Sequence, residues 1–217
     1  MAFLDVLKIC LAEAQIDADE DALEKFRAYS EELKVWNQRT DLTTIESEED
    51  IAIKHFIDSL LVARFIPENA FLLDIGSGAG FPGIPIKIIK PSVRLLLLDS
   101  SEKKVIFLKH IIRLLRLGNA SSLQQRAEDA AFTKIMAGTL DVVISRAFAR
   151  VAEYIEIAEP YAKPEGSIIC MLGKEWRSAV MEAEGIIKEK GLKMGQAREF
   201  VLPRGKGIRG IAVIKKE

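Results

Sequence analysis

The sequence predicts an α/β fold: a seven-stranded, mostly parallel sheet with an antiparallel hairpin at its C-terminal end, preceded by a helical N-terminal extension. Three observations predict it. From residue 71 onward, short apolar runs alternate with amphipathic stretches, the pattern of β-α-β units whose sheet is buried on both faces. Before residue 70 the apolar positions instead follow a helical period. The last two apolar runs are separated only by Pro203 to Gly210, too short for a helical crossover, so they pair as a hairpin at a sheet edge. The organisation expected is an extension at 1–68 and a ligand-binding domain at 69–217, sharing one integrated core.

The elements follow in order. A first helix covers 2–15. In the second, Leu23, Phe26, Ser30, Leu33 and Trp36 fall close to one stripe. Asn37 to Ile45 is polar, and Asp41-Leu42-Thr43-Thr44 reads as a turn. Ser47 and Asp50 form a capping box ahead of Ile51, Ile53, Phe56, Ile57, Leu60 and Leu61. Strands are expected at Phe71 to Leu73, Val93 to Leu98, Ser121 to Gln124 (the weakest), Val142 to Ile144 and Ile168 to Leu172, then Phe200 to Leu202 and Ile211 to Ile214. Val105, Leu108, Ile112 and Leu115 share a helical stripe after Asp99, with Gly118 suited to its C-terminal cap.

With 217 residues, 49% hydrophobic and 29% charged, the chain can bury a full core, which excludes wholesale disorder. The two cysteines, Cys10 and Cys170, sit in separate apolar segments, so neither a disulfide framework nor a zinc cluster is expected. With two histidines, His55 and His110, no histidine-based metal site is expected either. No apolar run reaches the ~18 residues of a membrane span, and the first residues, carrying Asp5, Lys8 and Glu13, do not read as a signal peptide. A cytoplasmic protein is expected, with no membrane partner. The net charge is only −1, yet residues 1–60 hold 15 acidic and 6 basic side chains, 101–126 hold 1 acidic and 6 basic, and 185–217 hold 3 acidic and 9 basic. Such segregation suits a chain that offers one face to a polyanion, and equally suits ordinary solvated faces.

The most informative segment is Asp74-Ile75-Gly76-Ser77-Gly78-Ala79-Gly80-Phe81-Pro82-Gly83, directly after the first strand. Its glycines let the main chain turn into a helix and present backbone N–H groups to a ligand. Gly78, Gly80 and Gly83 also satisfy the dinucleotide spacing, so spacing alone leaves two cofactors open. Asp74 favours one. A carboxylate beside the loop repels a pyrophosphate but attracts the ammonium and sulfonium of S-adenosyl-L-methionine. Asp99 closes the second strand where a carboxylate accepts from both ribose hydroxyls; it also suits capping the helix near Ser101.

At this point the residues resemble a family. Trp36-Asn37 through Asp41-Leu42-Thr43, Ile53-Lys54-His55-Phe56-Ile57-Asp58-Ser59-Leu60, the Asp74 loop continuing into Phe81-Pro82-Gly83-Ile84-Pro85, Leu98-Asp99-Ser100 with Lys103 and Phe107, and Ile144-Ser145-Arg146-Ala147-Phe148-Ala149 resemble the bacterial small-subunit ribosomal RNA guanine-N7 methyltransferases. The resemblance spans roughly residues 20 to 215. It implies a Rossmann-like class I S-adenosylmethionine-dependent methyltransferase domain behind the helical extension. It also implies that Gly76 and Phe81 line the methionine and adenosine pocket, that Ala127 and Glu128 sit beside the adenine, and that Arg146 lies at the mouth of the cleft. The family pattern L-K-G is replaced here by Leu172-Gly173-Lys174, which leaves Lys174 without a transferred role.

The expected cofactor-binding set is thus Asp74, Gly76, Gly78, Gly80, Phe81, Asp99, Ala127, Glu128 and Arg146, with S-adenosyl-L-methionine as the cofactor. Guanine N7 carries an in-plane lone pair and no proton, so no general base is expected; the work is positioning. Candidate RNA contacts are Lys103, Lys104, Arg204, Lys206 and Arg209, with Arg146 on the substrate side. Against these stand blander roles: an ion pair of Arg146 with Asp141 or Glu153, an ordinary exposed turn for Arg204 to Arg209, and a structural role for His55. The expected partner is small-subunit ribosomal RNA or the 30S particle, met by a monomer, with no DNA. Two other readings stay open, a nicotinamide dehydrogenase and a non-catalytic rRNA-binding assembly factor.

Overall fold

The computed structural model describes residues 2–146 and 150–217. Its N-terminal part is helical: α1 (Phe3–Glu13), α2 (Glu20–Thr40), and a continuous helical segment made of α3 (Glu48–Asp50), a π-helical stretch (Ile51–Ile57) and α4 (Asp58–Leu61). Asp19 caps α2 by accepting from Ala22 N–H, and Ser47 caps α3 by accepting from Asp50 N–H, as its sequence pattern predicts. Lys54 and His55, in the π-helical stretch, and Asp58, directly after it, lie on the side of this segment that faces the sheet's C-terminal edge.

The rest alternates strand and helix: β1 (Phe71–Ile75), α5 (Gly83–Ile89), β2 (Arg94–Asp99), α6 (Glu102–Leu114), β3 (Ala120–Gln124), α7 (Ala130–Met136), β4 (Leu140–Arg146), α8 (Val151–Ala158), β5 (Ala162–Leu172), α9 (Trp176–Glu182), α10 (Glu184–Glu189), β6 (Leu192–Val201) and β7 (Ile208–Lys216). The seven strands form one sheet in the order β3-β2-β1-β4-β5-β7-β6, parallel except for β7, which runs antiparallel to both β5 and β6. The hairpin is longer than the sequence signals at 200–202 and 211–214. Its β6 lies almost wholly exposed at the edge, so it carries no apolar alternation to read.

The apolar runs are buried on both faces, residue by residue. Leu72, Leu95, Leu97, Val142 and Ile144 face a core shared with α1, α2, the Glu48–Leu61 segment, α5 and α6; Leu73, Leu96, Leu98 and Val143 face the core under α8, α9 and α10. Each half of every run fills a different core, and for that reason the runs are continuous rather than alternating. The N-terminal helices are therefore part of the first core. Phe26, Tyr29 and Phe56 are fully buried in it, and Phe56 meets Phe3, Phe26, Tyr29 and Phe81 edge-on at centroid distances of 4.9–5.5 Å.

Candidate active site

Parallel strands bring their C-terminal ends to one edge, and there the chain opens two neighbouring cavities. The first, about 150 Å³, is walled by Ile75 and Gly76 from the end of β1, Leu98, Asp99 and Ser100 from the end of β2, and Gln125 to Glu128 after β3. Gly76 has φ +70° and nothing within 4 Å of where a Cβ would stand, so its backbone is left bare toward this space. Asp99 is held rigid: Oδ2 accepts from Gly78 N–H and Oδ1 from Ser101 N–H, both at 2.9 Å. Each oxygen keeps a lone pair, so the turn-forming bonds leave Asp99 free to accept from a further donor. Ala127 is buried and its carbonyl accepts from the Tyr161 hydroxyl, which also meets Thr133 Oγ1 at 2.9 Å; Glu128 is exposed. Nothing in the sequence signals this tyrosine clamp.

The second cavity, about 340 Å³, lies at the ends of β4 and β5 against the N-terminal helices, lined by Ile45, Lys54, His55, Asp58, Arg146, Met171, Leu172, Gly173 and Arg209. Arg146 closes β4 and is gripped on several sides. Its Nη1 donates to the Lys54 carbonyl at 3.0 Å, its Nη2 to His55 Nδ1 at 3.2 Å, and its guanidinium lies 5.4 Å from the Phe81 ring centre. Neither Asp141 nor Glu153 takes it: these pair with Lys163 and Arg150. The carboxylate it approaches is Asp58, at 3.6 Å. Because an arginine only donates, His55 Nδ1 is the acceptor and Nε2 carries the proton, which it gives to Thr43 Oγ1 at 2.8 Å. Burial, then the Arg146 charge, hold His55 neutral, its pKa pushed down to about 3. Asn37 fixes Thr43 in turn, its Oδ1 accepting from Thr43 N–H and its Nδ2 donating to Thr43 C=O, each at 2.8 Å. The separate segments Trp36-Asn37, Asp41-Leu42-Thr43 and Lys54-His55 thus form one hydrogen-bonded support for Arg146.

Several expected site residues sit elsewhere than the sequence suggests. The Asp74 side chain is not in the cleft. It is fully buried beneath the loop, where Oδ2 accepts from Gly83 N–H at 2.9 Å; a Cβ at residue 83 would stand 2.8 Å from that oxygen, so the glycine makes room for it. Burial, only partly offset by this bond and by Arg146, pushes the Asp74 carboxyl up to about 7. Phe81 does not line the first cavity either. It is sandwiched between Tyr29 (5.1 Å, 15°) and His55 (4.5 Å, 8°) in the interior. Gly80 is a packing glycine: the place of a Cβ is filled by Ile84 Cδ1 at 2.5 Å and the Tyr29 hydroxyl at 2.6 Å. The Tyr29 hydroxyl donates to Ala79 C=O, so α2 braces the loop from behind.

The basic hairpin is likewise not an open loop over phosphates. Lys206 pairs with Asp50 (3.0 Å) and Glu49 (3.4 Å), Arg204 lies 3.7 Å from Glu49, and Arg209 donates from Nε to Asp58 Oδ2 at 3.0 Å. These cations are spent on the acidic N-terminal helices. Lys103 and Lys104, on the first turn of α6, make no ion pair among the described residues. Lys174 is exposed beyond β5, and Ala147-Phe148-Ala149 of the resemblance lie outside the described residues. Among the described residues no cluster of His, Cys, Asp or Glu fit to hold a metal occurs, and no helix is long and apolar enough to cross a membrane.

The architecture matches known structures. A SAM-dependent methyltransferase from Aquifex aeolicus superposes with a TM-score of 0.60 at 17% identity, over 80% of this chain and 96% of that one. Pyrococcus horikoshii TYW2, in complex with MeSAdo, does so with a TM-score of 0.60 at 16% identity, over 74% of this chain and 62% of that one. These likenesses carry the fold. The fold, with a bare Gly76 and a strand-end carboxylate at Asp99 walling one cleft, suits a nucleoside-bearing cofactor; that the chain is an S-adenosyl-L-methionine-dependent methyltransferase rests on its family. The family model for rRNA small subunit methyltransferase G matches residues 22–201. Ribosomal RNA small subunit methyltransferase G of Geobacter sp. (strain M21) is 39% identical over 97% of this chain and 96% of its own length, and that of Geotalea uraniireducens (strain Rf4) is 38% identical over 89% and 88%. The chain belongs to the rRNA small subunit methyltransferase G family.

Proposed function

We propose that this protein transfers a methyl group to N7 of one guanine in small-subunit ribosomal RNA, free or in the 30S particle, working as a monomer in the cytoplasm. The observation that carries this reading is the adjacency of the two cavities at the ends of β1 and β4, which are paired strands: one cavity suits the nucleoside of the cofactor, the other a nucleobase beside an arginine. Gly76, Asp99, Ala127 and Glu128 would hold the cofactor, which when bound supplies an electrophilic methyl group.

The chain's own part is orientation. N7 brings its lone pair and loses no proton, and no residue at the site needs to act as a base; His55, held neutral with its one acceptor nitrogen committed to Arg146, is unsuited to that work. Holding the base in line with the methyl group contributes ~7–11 kcal/mol in favourable cases. The second cavity, with Ile45, Met171 and Leu172 as apolar walls, admits a base taken out of its stack. The test is incubation with labelled S-adenosyl-L-methionine and small-subunit particles lacking the modification, followed by mass spectrometry of the nucleosides. Label in 7-methylguanosine at one position is expected. Label in another nucleoside, or none with active cofactor binding, would overturn the assignment.

A further inference from the structure

Asp58 has no part in the reading above, yet it is the most deeply buried charged side chain lining the second cavity. It is 3% exposed, stands at the start of α4 directly after the π-helical stretch, and lines the cavity. Only one of its oxygens is satisfied: Oδ2 accepts from Arg209 Nε at 3.0 Å, while Oδ1 has no hydrogen-bond partner. A buried carboxylate oxygen without a donor is expensive unless a ligand supplies one. Arg146 Nη1 stands 3.6 Å from Oδ2, beyond hydrogen-bond distance, so these two charges lie side by side without closing on each other. The wall therefore presents a donor next to an acceptor.

Guanine presents the complementary pair. Its O6 accepts, and the neighbouring N1–H and N2–H₂ donate; adenine carries the reverse, a donor at position 6 beside an acceptor at N1. Resting on the guanine-N7 reading, we propose that Arg146 and Asp58 together read the Watson–Crick edge of the target guanine, Arg146 donating to O6 and Asp58 accepting from N1–H and N2–H. The grip on Arg146 explains why N7 stays free. An unrestrained arginine forks onto O6 and N7 together, which would occupy the lone pair that must attack. Here Nη2 already donates to His55 and Nη1 to Lys54, so the fork is held back from N7. Methylation makes the base cationic and its N1–H more acidic, so the bond to Asp58 strengthens as the reaction proceeds, the condition for speeding it rather than merely binding substrate.

The test pairs base analogues with variants. Particles are reconstituted with inosine, which lacks the N2 amino group, or 2-aminopurine, which lacks O6 and N1–H, at the position the wild type methylates. Wild type is expected to lose about tenfold or more in kcat/KM on each analogue. In Asp58→Ala, and in Asp58→Asn should the alanine variant fold poorly, the inosine penalty should shrink to within twofold while affinity for S-adenosyl-L-methionine, measured by calorimetry, is unchanged. A wild type indifferent to inosine, or a penalty of equal size in all three proteins, overturns the proposal while leaving guanine methylation standing. Absence of transfer to guanosine itself by wild type would instead sink the reading on which it rests.

Discussion

Arg146 donates from Nη2 to Nδ1 of His55 at 3.2 Å, and this bond fixes the protonation of one side chain and the direction of the other. His55 is uncharged, with its proton on Nε2 toward Thr43. Its folded pKa of about 3 lies below the ~6.5 of a free histidine, so the unfolded chain binds the extra proton between these values. The stability that neutral His55 contributes is complete above about pH 6.5 and declines as pH falls toward 3. Long-range ¹H–¹⁵N correlation spectra should show a neutral ring protonated at Nε2 at pH 5, where an ordinary histidine is charged. His55→Ala should lower kcat/KM for RNA about tenfold by loosening Arg146, at unchanged cofactor affinity; a charged ring at pH 5 would refute the arrangement.

The glycines of the loop divide by what stands where a Cβ would be. Gly80→Ala meets Ile84 and the Tyr29 hydroxyl at 2.5 and 2.6 Å with φ +96°, and should cost about 2–4 kcal/mol, seen as a lowered Tm. Gly76→Ala meets nothing, so only its left-handed φ of +70° opposes it, about 1 kcal/mol; its larger effect should be on cofactor affinity, because the methyl enters the first cavity. Thermal melts and calorimetric titrations on the two variants separate these effects. Equal stability losses, or cofactor binding untouched in Gly76→Ala, would contradict the division.

Asp74 titrates in the opposite sense to His55. Its carboxyl pKa is raised to about 7 by burial, so between the ordinary value near 3.9 and 7 the folded chain holds a proton that the unfolded chain has released. The stability tied to the protonated form is full below that window and is lost as pH rises through 7. Asp74→Asn keeps an acceptor for Gly83 N–H and has no charge to bury. Its Tm relative to wild type should therefore climb from pH 4 to pH 8, by on the order of 3 kcal/mol in stability. A difference independent of pH would show that the carboxylate is not desolvated.

How much of this was legible can be judged from particular residues. The sheet was, because Leu72 and Leu73, or Leu96 and Leu97, fill opposite cores and leave an uninterrupted apolar run. Asn37, Thr43 and His55 were visible as parts of a signature, but not as one hydrogen-bonded chain, since nothing in their spacing says that they meet. The direction of Asp74 was not legible: a carboxylate at the end of a strand points into the cleft or under the loop with equal ease, and the clue lay nine residues on, in the missing Cβ of Gly83. The charge segregation was legible and its meaning was not. The acidic residues before 60 and the basic residues after 203 neutralise each other across 151 residues of sequence at Asp58 and Arg209, a contact that only the fold creates.

That pairing decides which lysines remain for RNA. Lys206 is committed to Asp50 and Glu49, and removing it takes one cation from two carboxylates rather than a contact from a phosphate. Lys103 and Lys104 stand on the first turn of α6, directly after the Asp99 end of β2, and make no ion pair among the described residues. Each lysine that touches a phosphate releases counterions on binding, so log Kd against log salt concentration should lose about one unit of slope per such residue removed. Lys103→Ala and Lys104→Ala together should flatten the salt dependence of small-subunit RNA binding by about two units. Lys206→Ala should leave that slope unchanged and instead lower the Tm slightly, because among the described residues Glu49 then keeps only Arg204 and Asp50 only Lys54 beside the start of the π-helical stretch. A slope that responds to Lys206 and ignores Lys103 and Lys104 would return the hairpin to the interface and remove α6 from it.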